Sequence, residues 1–208
     1  MRKFSKAAAG TAVTGAAFAA VLGLAAAPAF ALTSVVTGSS STGAITATAS
    51  TPTLTDTTTG TKLTCTSSNA TGTVKNGTNT PLGTINTVTF ATCKGPAGIT
   101  FTVTAAGTPW TLNATGVTSG GVTPGSLTGV RATLSGLCNA TFAGTASSTS
   151  GATLTGSYKN STHTLTINAG SLKAYSVSGL CLGLINNGDL ATFNAAYVVS
   201  PALQLNVT

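Results

Sequence analysis

The chain has 208 residues, a formal net charge of +7, two acidic residues and one histidine. Acid–base and nucleophilic mechanisms need several titratable side chains that converge on one pocket. This composition therefore argues against an enzyme. Threonine makes up roughly a quarter of the predicted mature chain, and its β-branched side chain favours extended strands.

Residues 1–31 have the pattern of a secretory signal peptide. A positively charged start is followed by an alanine-rich apolar run over 12–27 and by a small-x-small sequence at 29–31, so cleavage is predicted before Leu32. No later segment approaches the roughly 18 apolar residues that a spanning helix requires. We therefore expect a secreted protein that is released or held at the cell surface without spanning the membrane.

Four cysteines lie in the predicted mature part, and an even number in an exported chain indicates disulfides. They are Cys65, Cys93, Cys138 and Cys181. Three pairings are open, and we favour neighbours in sequence, Cys65 with Cys93 and Cys138 with Cys181. A zinc site is not expected, because no two cysteines have the short spacing of a zinc-binding pair and His163 stands alone. We expect no metal and no cofactor.

Residues 32–60 are rich in small and polar side chains. Within them 44–50 alternates small and polar residues and predicts an edge strand that Pro52 ends; the alternative is a flexible lead-in segment. From Lys62 onward apolar residues alternate with threonine or asparagine, which predicts half-buried strands. These predicted strands lie at 71–75, 85–90, 99–104, 110–113, 127–134, 140–143, 152–158, 164–167, 172–177, 193–199 and 203–207.

Turn signals separate the predicted strands. They are Asn76-Gly77, Asn187-Gly188, Pro81, Gly95-Pro96, Gly120-Gly121 and Pro124-Gly125. No stretch after the predicted signal has a helical period. The expected fold is therefore all-β, a single antiparallel β-sandwich or barrel-like domain over 32–208 with two disulfides.

Three segments carry a resemblance to a known group of proteins. They are 63–72 (LTCTSSNATG), 99–115 with its Pro-Trp-x-Leu-Asn-Ala-Thr string, and 177–193 with Gly-Leu-Ile-Asn-Asn-Gly-Asp. They resemble a family of short secreted, Thr- and Gly-rich β proteins of actinomycete bacteria, and the likeness spans most of residues 44–201. The resemblance implies export, an all-β fold and paired cysteines, and it supplies no catalytic residue.

The candidate catalytic residues each have a simpler interpretation. A hydrolase triad would join a serine, His163 and an aspartate, but the chain has no G-x-S-x-G elbow. His163 follows a predicted turn, which places it at the rim of the core, held by a threonine or a backbone carbonyl. Asp56 and Asp189 stand where side chains cap turns, rather than as a glycosidase pair or a calcium loop. We expect no catalytic residue.

Trp110 is the one candidate for ligand binding by stacking. Leu112 has the same parity on the predicted strand, which favours a core position for Trp110. Exposed beside Tyr158, Tyr175 or Tyr197, it would instead form a platform for a sugar or another flat ligand.

The positive charge of the predicted mature chain, about +4, is scattered. A nucleic-acid face normally clusters its basic residues, so no nucleic-acid partner is expected. The sequence favours a secreted, non-catalytic protein that acts by binding or assembly, its partner a protein or a cell-wall component, or a second copy through self-association. The alternatives are a small-molecule carrier with an apolar cleft, a self-assembling surface coat subunit and, least favoured, a hydrolase that uses His163.

Overall fold

The alternation of apolar and threonine residues produces strands along most of the chain. The computed structural model describes residues 32–75, 77–78 and 81–208. The predicted signal peptide at 1–31 and Asn76 of the predicted Asn76-Gly77 turn lie outside these residues. The strands are β1 (Ser34–Thr37), β2 (Ala44–Ser50), β3 (Thr53–Asp56), β4 (Lys62–Val74), β5 (Gly77–Thr78), β6 (Gly83–Lys94), β7 (Thr100–Ala106), β8 (Trp110–Ala114), β9 (Val122–Gly136), β10 (Cys138–Ala143), β11 (Ala152–Lys159), β12 (Thr164–Gly170), β13 (Leu172–Gly179), β14 (Leu190–Ser200) and β15 (Gln204–Val207).

Antiparallel pairing carries the main sheet around a closed ring. The order is β2, β4, β6, β9, β11, β12 and β14, and β14 pairs again with β2. Between β6 and β9 lie β7 and β8, one after the other along the strand direction, and each pairs with both β6 and β9. Leu32–Thr208 form one unit around a single core. The prediction of an antiparallel, barrel-like all-β fold is confirmed.

Strand β2 completes this ring, and here the sequence-based expectation is wrong. Residues 44–50 are neither an edge strand nor a flexible lead-in, because β2 pairs with β4 on one side and with β14 on the other. Its inward residues Ile45, Ala47 and Ala49 are buried, whereas the residues between them are exposed. The alternation indicated one buried face, and the second neighbouring strand comes from the distant end of the chain.

A second expectation fails at Pro124-Gly125, which lie inside β9 and not in a loop. Proline lacks the N–H that a central strand donates and is tolerated near the start of a strand. Gly125 allows a close approach, because a Cβ there would lie 2.9 Å from the carbonyl oxygen of Asn113 on β8. Strand β9 therefore begins at Val122, two residues before the Pro124 that was expected to mark a loop.

A small sheet of β15, β1 and β5 covers one end of the ring, which we call the small-sheet end. Val36, Leu205 and Val207 on this sheet are buried. The Tyr158 hydroxyl donates to the Leu203 carbonyl at 3.1 Å, and Asn160 both donates to and accepts from the backbone of Leu205 at 2.9 Å. Hydrogen bonds and apolar contacts together fix this sheet to the ring.

Both disulfides join the predicted partners, Cys65 with Cys93 and Cys138 with Cys181. The first links β4 to β6 between directly paired residues. The second links the start of β10 to the loop after β13. The sequence separations are 28 and 43 residues, and loops of this size each correspond to about 3.5–4 kcal/mol in the chain-entropy model. We call the end of the ring that carries the second bond the disulfide end.

A buried hydroxyl pair lies in the wall of the ring. The hydroxyl groups of Ser68 on β4 and Tyr197 on β14 are 2.9 Å apart, and both residues are buried. Burial raises the pKa of the Tyr197 phenol above its ordinary value of 10.0, and the hydrogen bond shared with Ser68 partly opposes this shift. Burial also raises the pKa of Tyr158.

These shifts predict a loss of stability at alkaline pH. Above about pH 10 the unfolded chain releases phenol protons that the folded protein retains, so the free energy of unfolding falls as pH rises. Urea unfolding between neutral pH and pH 11 should show this fall, and Tyr197→Phe should make it shallower. Ser68→Ala keeps the buried phenol and removes the hydrogen bond that opposes the shift, so the fall with pH should be at least as steep as in the unmodified protein. A slope that is the same with and without the Tyr197 phenol would contradict the account.

Candidate functional site

Three exposed leucines lie on two adjoining loops at the disulfide end of an otherwise threonine-rich surface. Leu137, Leu180 and Leu182 are 59%, 67% and 77% exposed. Leu137 lies in the β9–β10 turn, and Leu180 and Leu182 lie in the loop after β13. The Leu180 N–H donates to the Leu137 carbonyl at 2.7 Å, which places these two residues opposite each other. We call the three residues the leucine cluster.

A disulfide and a side-chain hydrogen bond fix the loops that carry the leucine cluster. The Cys138–Cys181 bond joins residues directly adjacent to Leu137 and Leu180. Further along the same loop, the Asn187 side chain accepts from the Val177 N–H at 2.9 Å. The leucines are therefore presented on fixed backbone.

Both carboxylates of the chain stabilise turns at this end, as expected from their positions. Asp189 accepts hydrogen bonds from the backbone and side-chain nitrogens of Asn186 at 2.7 and 3.0 Å. Asp56 accepts from the backbone N–H groups of Thr58 and Thr59 at 2.8 and 2.9 Å. The Thr59 hydroxyl in turn donates to the Leu184 carbonyl at 2.8 Å, which ties the two loops together.

The ionic side chains that face solvent near the leucine cluster are cationic. Asp56 and Asp189 are only 3% and 7% exposed. Lys62 at the start of β4 and Lys94 at the end of β6 are exposed, and their chain neighbours Leu63 and Gly95 line a small apolar cleft that also contains Leu180. This end of the protein therefore presents exposed lysines beside its apolar surface.

The exposure of three leucines has a measurable energetic meaning. Complete burial of one leucine side chain contributes about 1.5–3 kcal/mol, so these fractions leave the equivalent of about two leucines, or about 3–6 kcal/mol, unrealised in the free protein. Single exposed leucines are ordinary, whereas three on adjoining loops are a candidate for contact with a partner. The leucine cluster is therefore the candidate interaction surface.

The interior of the ring is a second candidate site. Two cavities, each of about 80 Å³, lie within it and have Ala47, Ile85, Leu165 and Ile167 as shared walls. The first is lined almost wholly by apolar side chains. Phe90 and Phe193 meet there edge to face, with ring centres 6.1 Å apart. Small inward residues such as Ala47 and Ala70 leave this space unfilled.

Trp110 lies in this interior and not on the surface. It is 5% exposed, lines the first cavity, and its indole N–H donates to the Ala106 carbonyl at 3.0 Å. Tyr158 and Tyr197 are buried, and the Tyr175 hydroxyl donates to the Gly144 and Thr145 carbonyls. Trp110 thus has the core position that the strand parity favoured. Its indole could contact a ligand only from inside the first cavity.

His163 lies far from both carboxylates. It occupies the β11–β12 turn with a left-handed backbone (φ 50°), and its Nδ1 is 3.2 Å from the Leu203 carbonyl oxygen. Its own carbonyl accepts from Val199 near the end of β14, whereas Asp189 precedes the start of that strand. A strand of this length puts about 30 Å between them at about 3.3 Å per residue. A triad of serine, His163 and aspartate is not assembled.

Within residues 32–75, 77–78 and 81–208, no group of three or more histidine, cysteine, aspartate or glutamate side chains is arranged to hold a metal ion. In the same part of the chain, no helix has the length and apolar character needed to cross a membrane.

No protein-family model, curated protein or solved structure matches the chain. Its two candidate sites are therefore interpreted from their own geometry.

Sequence reasoning missed the leucine cluster. Leu180 and Leu182 flank Cys181 between Gly179 and Gly183, and an apolar run of this kind is also typical of a buried strand. The flanking glycines, which adopt positive φ angles of 87° and 72°, were the available signal for a turn that exposes its side chains.

The second disulfide should control the order of the leucine cluster. Replacing Cys138 and Cys181 by alanine should cost about 4 kcal/mol in the free energy of unfolding and should accelerate hydrogen exchange of the Leu180 amide. The matched control replaces Cys65 and Cys93, with a similar loss of stability but no local effect at Leu180. Amide exchange followed by NMR distinguishes the two, and equal Leu180 protection in both variants would contradict the role assigned to Cys138–Cys181.

Proposed function

We propose that this chain is a secreted, non-catalytic protein that acts by binding, and that the leucine cluster is its contact surface. The observation that carries the proposal is the exposure of three leucines on loops fixed by a disulfide. Exposed apolar residues scattered singly need no explanation, whereas three leucines on two adjoining loops form a group that contact with a partner would cover.

Export is part of this proposal. Two disulfides are typical of an oxidising compartment outside the cytoplasm. The signal-like pattern of residues 1–31 and the resemblance to secreted Thr- and Gly-rich actinomycete proteins support the same location. The partner would be a component of the cell surface or of its surroundings.

Contact through side chains agrees better with the fold than strand-to-strand assembly does. Closure of the ring pairs both sides of β2, β4, β6, β9, β11, β12 and β14, and a closed sheet offers few free edges to another chain. A coat subunit that assembles through strand edges is therefore the weaker proposal. Catalysis is weaker still, since His163 and the aspartates lie at opposite ends.

Binding to cell-envelope preparations from the producing organism tests the proposal. The purified chain over 32–208 should bind, and Leu180→Ser with Leu182→Ser should reduce binding at least about tenfold, because each leucine loses most of its apolar contribution. The control is Val117→Ser with Val198→Ser, two similarly exposed residues elsewhere. Circular dichroism should show that all variants are folded. No binding by the unmodified chain, or equal loss in both double variants, would refute the proposal.

A small-molecule carrier is the second candidate function, and the two interior cavities favour it. A dry apolar cavity of about 150 Å³ accepts benzene, whereas drug-sized ligands need about 300 Å³ or more. Cavities of about 80 Å³ therefore suit only a very small apolar guest, unless the shared residues Leu165 and Ile85 rearrange to join them.

Xenon provides a direct probe of this second function. The unmodified protein should change the ¹²⁹Xe NMR chemical shift in proportion to protein concentration. Ala47→Leu, which fills the wall between the two cavities, should abolish most of the effect, and Ala196→Leu on the outer face of β14 should not. A xenon shift that is absent, or that Ala47→Leu leaves unchanged in the folded protein, would exclude the interior as a ligand site.

A further inference from the structure

We infer that the surface covered by the leucine cluster is an anionic lipid bilayer, into which the leucines insert while the neighbouring lysines contact the headgroups. This inference rests on the proposed function, because it names the partner of the same surface. Three features of the disulfide end carry it: the size of the apolar group, the sign of the charge around it, and its position on loops beyond the strand ends.

The size of the leucine cluster disfavours a folded protein as its main partner. At about 25 cal/mol per Å², the exposed leucine surface corresponds to roughly 200 Å² of apolar area. A standard protein interface buries about 800 Å² on each partner with matched shape. Insertion into a bilayer requires no matched shape, and a few apolar side chains at one tip are enough for reversible attachment when charge assists them.

The charge around the leucine cluster disfavours a second copy of this chain. Two copies that met through this end would bring the exposed Lys62 and Lys94 of each close to those of the other, whereas Asp56 and Asp189 are buried and do not face the second copy. An anionic surface instead attracts each lysine.

The position of the leucine cluster permits contact with a flat surface. Leu137, Leu180 and Leu182 lie in loops that follow the ends of β9 and β13. The turns behind them are held by hydrogen bonds to Asp189 and to one carboxylate oxygen of Asp56. The leucines can therefore enter an apolar layer while the turns that hold them keep their hydrogen bonds within the protein.

Co-sedimentation with lipid vesicles tests the inference. The chain over 32–208 should bind vesicles of phosphatidylcholine mixed with phosphatidylglycerol and should bind pure phosphatidylcholine vesicles at least tenfold more weakly. High salt should weaken binding, because it screens the lysines. Each of Lys62→Gln and Lys94→Gln should reduce binding about fivefold, whereas Lys159→Gln near the small-sheet end should not.

The leucine contribution is measured in the same assay. Leu180→Ser with Leu182→Ser should reduce vesicle binding at least tenfold, with Val117→Ser plus Val198→Ser as the folded control. Absence of vesicle binding, equal binding to neutral vesicles, or binding that survives loss of the leucines would overturn the inference. If vesicles fail while envelope binding still depends on the leucines, the lipid assignment falls and the proposed function stands. If envelope binding is also independent of the leucines, the proposed function itself fails.

Discussion

The pairing of β2 with both β4 and β14 is the contact on which the rest of the structure depends. It joins a strand near the start of residues 32–208 to one near their end, and so turns an open sheet into a ring. Closure gives every strand of the ring an inner and an outer face, which is why alternation of apolar residues and threonine is sufficient to build the core. It also removes strand edges that would otherwise attract other chains.

The closed ring has two ends, and different elements cover them. At the small-sheet end, β1 and β15 cover the ring and bind it through Tyr158 and Asn160. At the disulfide end, the two aspartates of the chain accept hydrogen bonds within turns. The Cys138–Cys181 bond fixes the loops that carry the leucine cluster. Polar residues at Leu180 and Leu182 would satisfy the same backbone hydrogen bonds and would favour solubility. Under the proposed function, the leucines there serve contact with a partner.

The sequence was sufficient for local features and insufficient for long-range ones. Period-two alternation predicted most strands, because it depends on residues close in the chain. The cysteines paired with their neighbours in sequence order as favoured, across 28 and 43 residues. The partners of β2 could not be read from residues 44–50, since alternation shows that a face is buried but not which strands lie beside it. Alternation also breaks within β6, where Ile85 and Val88 face inward on either side of a bulge. The leucine cluster was missed because an apolar run does not reveal which side faces water.

The closure of the ring is the central claim, and amide hydrogen exchange along β2 tests it most directly. The β2 amides on either side of Ala47 donate to β4 or to β14. The structure predicts that they exchange as slowly as the amides of β4 and β9 in the centre of the sheet. Exchange of the 44–50 amides at rates close to those of an unfolded peptide, with β4 and β9 still protected, would show that the ring is open and would contradict the account.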